Sequence, residues 1–386
     1  MGQVGGLLSS DVWESIAVRE NLCSRSLYPA STCDLCMQSC PSGSIMFENG
    51  LPLVSRGCSD CGTCASSCPN GVFRPKKGDD IQILAPLLRH LAEQRMQAIA
   101  YACVDAGQTC GQTLSFTCLG RLTESLIIGP FVFGAKSLRL SRGNCARCKN
   151  GRSLSNQSRI ITNSRLLAHA LRIDPDRICA DDEAVDGHEE DAAERKALSI
   201  RFERRWFFRA LKSDGAAFVG GLLSSVRSTA EAREEKAAAV NWRRRNLLSL
   251  LFRAECSSDG EVSGEQLPAA EVSVGPRCTG CRLCGFLCPT KAIRTSQHDD
   301  MFEMVFDPHL CTACGSCERA CLFKAIKLKP TFNLKNLFEQ KTEVLLKSPL
   351  KQCRRCGAGF IHSTDSTCQL CLSKNTVQNS HIHRAR

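Results

Sequence analysis

The sequence predicts an α+β multidomain chain: two small cysteine-rich domains, a central α/β domain between them, and a pair of cysteine knuckles near the C-terminus. The first observation behind this is the run C-x2-C-x2-C-x3-C at Cys278, Cys281, Cys284 and Cys288, repeated at the same spacing by Cys311, Cys314, Cys317 and Cys321. A near copy stands ahead of it, where Cys58, Cys61, Cys64 and Cys68 follow Cys33, Cys36 and Cys40. The second is an alternation of helix-period and strand-like apolar segments between residues 81 and 140. The third is C-x2-C-x11-C-x2-C at Cys353, Cys356, Cys368 and Cys371. A chain of 386 residues has room for two or three cores.

Residues 1–78 form the first cysteine-rich domain. Short apolar segments, GSIMF and GVF, follow its two Cys-Pro pairs and suit the edge strands of a small fold. Residues 276–330 form the second, where AIRT and AIKL follow the two runs at matched positions, an internal repeat. Leu322 stands where the other complete runs have proline, which relaxes the turn and removes no ligand. With these residues both domains resemble bacterial ferredoxins that carry two [4Fe-4S] clusters. The resemblance implies that three close thiolates hold one cluster while the fourth of each run crosses to the other. It pairs Cys278, Cys281 and Cys284 with Cys321, and Cys311, Cys314 and Cys317 with Cys288. In the first domain it pairs Cys58, Cys61 and Cys64 with Cys40, and Cys33 and Cys36 with Cys68 and Cys23. Nine residues separate Cys23 from Cys33, so SRSLYPAST would be an inserted loop; alternatively Cys23 is an ordinary buried thiol and that site holds a three-iron cluster.

Residues 79–178 read as the small α/β domain. IQILAPLLRHLAEQRMQAI at 81–99 has helical spacing, AIAYACV from Ala98 reads as a strand, Leu122–Phe133 suits a helix, and SLRL at 137–140 a second strand. Such alternation suggests a parallel sheet, with a further helix around Ser164–Leu171. Cys103, Cys118, Cys145 and Cys148 fall at strand ends or in loops, where open α/β sheets place ligands. They either hold a further iron–sulfur cluster, with Cys110 as a substitute ligand, or include ordinary core thiols. YACVDAG, CLGRL and CARC loosely resemble small iron–sulfur subunits that link hydrogenases to heterodisulfide reductases, which implies the cluster reading.

Residues 179–275 read as a charged linker. An acidic segment at 181–197 is followed by RFERRWFFRALK at 201–212 and NWRRRNLLSLLFRA at 241–254. These basic amphipathic stretches suit a peripheral membrane contact or a partner's helix groove, or packing between the two cysteine-rich domains with the arginines in solvent. Cys179 and Cys256 are isolated and receive no role, and 257–275 reads as a flexible linker. Residues 331–375 hold a helix-like FNLKNLFEQ and the zinc-ribbon-like knuckle pair, for which zinc and a rubredoxin-like iron are both open. The basic tail 376–386 reads as disordered.

The chain has 27 cysteines, far above the usual share. A secreted disulfide scaffold would need an export signal, and MGQVGGLLSSDVWE carries neither a basic leader nor an apolar core. No apolar stretch approaches membrane-spanning length, so a cytoplasmic protein with reduced, metal-bound thiols is expected. The formal charge of +11 overstates the field. Four [4Fe-4S] clusters with their thiolates remove roughly 8 charges and leave about +3, which argues against nucleic acid. No GxGxxG or P-loop is present, and the eight histidines do not group with carboxylates. The expected function is therefore a polyferredoxin-type electron carrier, a subunit or dedicated partner of a larger oxidoreductase. The alternative is an assembly or redox-regulatory factor for a metalloenzyme, with structural or sensing clusters.

Overall fold

The computed structural model describes residues 15–94, 98–106, 113–180, 241–253, 261–263, 268–329, 331–338, 340–361, 366–369 and 371–372. The fold is mixed α/β. At its centre four parallel strands lie in the order Thr113–Phe116, Ala98–Cys103, Ser137–Ser141, Ile178–Ala180. The helices Asp80–Gln94, Glu124–Val132 and Leu154–Ala170 pack with this sheet into one apolar core. The expected helix at 122–133 begins instead at Glu124, because Thr123 caps it: its hydroxyl accepts from the Leu126 N–H at 3.4 Å. The helix expected around Ser164 runs from Leu154, since Asn156, Gln157 and Asn163 are buried and conceal its apolar period.

The two cysteine-rich domains share one plan. In the first, Ile16–Val18 pairs with Phe73–Pro75, and the hairpin Ile45–Glu48/Leu51–Val54 lies between them in sequence. In the second, Glu271–Val274 pairs with Ile326–Lys329 around the hairpin Ile293–His298/Met301–Phe306. Both hairpins turn through two left-handed residues, Asn49–Gly50 (φ 51° and 81°) and Asp299–Asp300 (φ 47° and 57°). That twist matches a two-residue hairpin. Phe302, Met304 and Phe306 alternate inward along their strand, as the pleat requires. Glu343–Pro349 extends this hairpin into a three-stranded sheet.

Two expectations are corrected here. Segment 257–275 is not simply a linker: Glu261–Ser263 pairs with Thr331–Asn333, and Glu271–Val274 is an edge strand of the second domain. The second domain therefore starts before residue 276, and only Leu334–Phe338 of FNLKNLFEQ is helical among its described residues. The Trp242–Arg253 helix does not display all its arginines to solvent either. Trp242, Arg243, Arg244, Leu247, Leu248, Leu250 and Leu251 are all buried within this chain. The segment is thus the packing element of the three readings, not a free membrane or partner helix. No helix among the described residues is long and apolar enough to cross a membrane. Segment 181–240 with the basic stretch 201–212, Cys110, Cys256 and the tail lie outside the described residues.

Candidate metal centres

Each cysteine run folds the same way. A one-turn helix, Leu35–Ser39, Thr63–Ser67, Leu283–Leu287 or Ser316–Ala320, ends on the run's last cysteine: Cys40, Cys68, Cys288 or Cys321. In the three complete runs, residues two and four after the first cysteine are left-handed. These are Asp60 and Gly62, Gly280 and Arg282, Ala313 and Gly315. Alternating backbone handedness turns successive N–H groups inward as a nest. The N–H of Asp60, Gly280 and Ala313 accordingly bonds the sulfur of Cys58, Cys278 and Cys311. At the run beginning with Cys33, the residue before its one-turn helix, Asp34, has φ −135°, the local mark of the inserted loop.

The thiols fall into four electrostatic groups. Burial raises the Cys36 thiol, and Cys68, Cys33 and Cys23 raise it further. Burial raises Cys64 well above the usual range, with Cys61, Cys58 and Cys40 adding to it. Cys284 is pushed up to about 12 by burial, then by Cys281, Cys278 and Cys321. Cys317 is raised by burial, then by Cys314, Cys311 and Cys288. Each group thus draws its fourth thiol from the neighbouring run. Among the described cysteines no disulfide is formed. An all-thiol donor set, inward N–H groups and mutual thiolate repulsion fit a cationic iron–sulfur core.

Sequence reasoning offered the 241–254 stretch as packing between the two domains, but not the direct junction between them. A cavity of about 330 Å³ is lined by Cys23, Cys33, Cys36 and Cys68 from the first domain and by Ala313, Cys314 and Arg319 from the second. Thr312 Oγ1 donates to Asn70 Oδ1 at 2.6 Å, and Ser316 Oγ to Ser24 Oγ at 2.9 Å. The Trp242 helix fastens the joint. Asn241 caps it by accepting from the Arg244 N–H at 2.8 Å. Trp242 Nε1 donates to the Phe73 carbonyl at 3.2 Å, and Arg243 to the Cys68 carbonyl at 2.8 Å and to Glu124 at 2.7 Å. Arg244 donates to the carbonyl of Pro268 and to that of Cys311 in the second domain. The cluster of arginines was visible in the sequence; its partners were not.

At the central sheet, Cys103 ends one strand, and Cys145 and Cys148 follow the next, at the carboxyl edge. Cys103 Sγ accepts from the Gly143 N–H at 3.2 Å, Cys148 Sγ lies 3.2 Å from Asp105 Oδ2, and Cys118 Sγ lies 3.0 Å from Ser153 Oγ. A Cβ at Gly143 would clash with the Asp105 carbonyl, so the close approach of these loops requires glycine. Burial raises the Cys118 thiol, and Cys61 and Cys148 add to the rise, which places this group beside the first domain. Asp105 is a carboxylate that no motif or spacing singles out.

The knuckle pair is different. The sulfurs of Cys353, Cys356, Cys368 and Cys371 lie within 4.8 Å of one another, the spacing for one metal ion. Among the described residues no other group of His, Cys, Asp or Glu converges so tightly. A cubane carries its ligands on separate irons, so its sulfurs stand wider than those around one ion. The Cys368 N–H, 3.2 Å away, is the leading cause that lowers the Cys353 thiol to about 6. Lys351–Gln352 and Gly359–Phe360 pair across the turn, where Gly357 has φ 72°.

Residues 277–325 match the 4Fe-4S dicluster domain family. One component of the ion-translocating oxidoreductase complex of Methanosarcina acetivorans is 42% identical over 52 residues, 14% of this chain and 18% of that protein. The chain therefore matches less than a fifth of that relative's length. Residues 277–325 form a ferredoxin-like 4Fe-4S segment within a mixed α/β chain that also carries a four-cysteine metal site, and the protein is an iron–sulfur protein.

Proposed function

We propose that the chain is a polyferredoxin-type electron-transfer protein of the cytoplasm, working as a subunit or dedicated partner of a larger oxidoreductase. The four thiol groups above hold four [4Fe-4S] clusters with crossed fourth ligands. Cys103, Cys118, Cys145 and Cys148 hold a further iron–sulfur cluster, and the C-terminal knuckles hold zinc. The clusters, when bound, supply the one-electron chemistry. The protein supplies thiolate ligation, inward N–H groups that favour the anionic sulfurs, and burial that excludes water.

One observation carries this reading. The cavity between the domains is walled by thiols of both, and Arg319 and Cys314 act electrostatically on Cys33 across it. Purely structural clusters have no need to meet. Here the groups follow one another from Cys281, through Cys314, Cys33 and Cys61, to Cys118. The similarity to part of an oxidoreductase complex supports a redox-protein partner.

The test is anaerobic purification with metal analysis and paramagnetic resonance. About 16 iron atoms per chain are expected from the paired sites alone. Chemical reduction should give signals broadened by coupling between neighbouring sites. Iron near half that number in fully loaded protein removes one paired domain. Clusters that never change redox state while a co-purified complex turns over refute electron transfer.

A further inference from the structure

The relay above has a buried inner junction and an outer end at Cys278, Cys281, Cys284 and Cys321. We infer that this outer end is the docking face for an acidic one-electron carrier protein; the inference rests on the relay reading. Cys281 is exposed, alone among the thiols of the two complete runs in this domain. Beside it Phe286 is 70% exposed and Leu322, directly after Cys321, is 69% exposed. Phe286 projects from the one-turn helix between Cys284 and Cys288, so the two apolar side chains flank one thiol group.

Four exposed cations, Arg277, Arg282, Lys291 and Lys324, stand on the same two segments as this pair. Lys291 Nζ bonds the Phe286 carbonyl at 3.0 Å and lies 6.0 Å from the centre of its ring. Arg277 reaches the Lys324 carbonyl at 3.5 Å, which ties the first run to the turn after Cys321. Segments 276–291 and 321–329 contain no Asp or Glu. The nearby Glu318 is engaged by Lys327 at 3.1 Å. Two apolar side chains are too few for a permanent interface, which needs a broad apolar core. A small apolar centre with a one-sign rim suits a transient complex steered by opposite charge.

The probe is an acidic [2Fe–2S] ferredoxin, with a lysine-rich cytochrome c as the cationic control, both used against the full chain. Binding is measured with all proteins oxidised, so it does not depend on electron transfer. The acidic probe should bind at low salt and weaken about tenfold or more between roughly 50 and 500 mM salt as the charges are screened, and the cytochrome should not bind. Arg277→Glu with Lys291→Glu should weaken binding at least about tenfold and flatten the salt dependence. Phe286→Ser should speed dissociation while keeping the salt dependence. Unchanged iron content and unchanged reduction by dithionite show that the variants are folded. Failure of the folded wild-type chain to bind the acidic probe, whether the face is open or covered by other parts of the chain, overturns the inference. So does equal binding by the charge-reversed variant or by the cytochrome. Binding without any reduction of the clusters leaves docking standing and refutes the relay.

Discussion

Replacing Arg243 with methionine isolates the contact that fastens the Trp242 helix. Its guanidinium lies 2.7 Å from Glu124, and the two side chains are 7% and 4% exposed. Removing one partner of such a pair strands the other charge in the interior, at a cost of about 3–5 kcal/mol. Because about 1.4 kcal/mol is tenfold, amide exchange over residues 242–253 should speed up by roughly two to three and a half decades. The pH dependence should change direction as well. In the wild type burial acts to raise the Glu124 carboxyl, but Arg243, Arg159 and hydrogen bonds outweigh it, and the net shift is downward. Its contribution is therefore full above the unfolded pKa and is lost as pH falls through the lower folded value. Without Arg243 burial dominates and the folded pKa rises. The deficit is then full above that raised value and shrinks as pH falls through it. Hydrogen–deuterium exchange of the intact chain between about pH 8 and 5.5, above the ordinary carboxylate range, should show little acid response in the wild type from this group and partial recovery in R243M. Glu124→Gln added to R243M should restore much of the protection. A loss smaller than about tenfold, or a double variant no better protected than R243M, refutes the buried-charge argument.

Three further outcomes are expected. Replacing Cys145 and Cys148 together with alanine should lower the iron and sulfide content while the four paired sites remain loaded; unchanged metal analysis would make the pair structural. Truncation before residue 353 should remove one tetrahedral metal per chain, expected to be zinc, and chelation should unfold that segment because metal binding there is folding energy; full zinc retention refutes the assignment. Gly120→Ala would set a Cβ 2.6 Å from Ser153 Cβ and 2.7 Å from Thr63 Oγ1. Overpacking of this kind costs about 1–3 kcal/mol, so limited proteolysis should cut faster between the first domain and the central sheet, and an unchanged pattern would count against a tight joint.

Much of the local architecture was legible because ligand spacing is itself local. A run of three close cysteines specifies its one-turn helix and turn, and the strands at 98–103 and 137–141 announce themselves by composition. Strands Glu261–Ser263 and Glu271–Val274 did not, because their Glu and Ser residues look like linker and only a distant partner makes them strands. The helix at 154–170 was seen in part, since buried Asn156 and Asn163 break its apolar period while bonding Ser66 and Glu124. The junction was hidden for the same reason: Thr312 and Asn70 are 242 positions apart, and Ser316 and Ser24 are 292. No sequence period encodes a contact of that separation.

Arg244 shows how that junction is held electrostatically. It is fully buried, and burial lowers it to about 10. Carbonyls of Pro268 and Cys311 take its hydrogen bonds, and the Cys311 sulfur is the largest influence that favours its charge. Carbonyl oxygens alone compensate a buried cation poorly. Burial pushes the Cys311 thiol itself up to about 12, so an anionic charge there would come with a bound cluster, and on the proposed reading the arginine and that loaded site would stabilise each other. Arg243, one residue earlier, does the corresponding work at the Cys68 carbonyl of the first domain. Consecutive side chains of one helix therefore grip one site in each domain, and the central core, which buries Leu247, Leu250 and Leu251 of the same helix, fixes where both arginines stand. Direct hydrogen bonds join the two cysteine-rich domains, and a third element rooted in the central core fastens both, which is how separate modules present their thiols to one shared cavity.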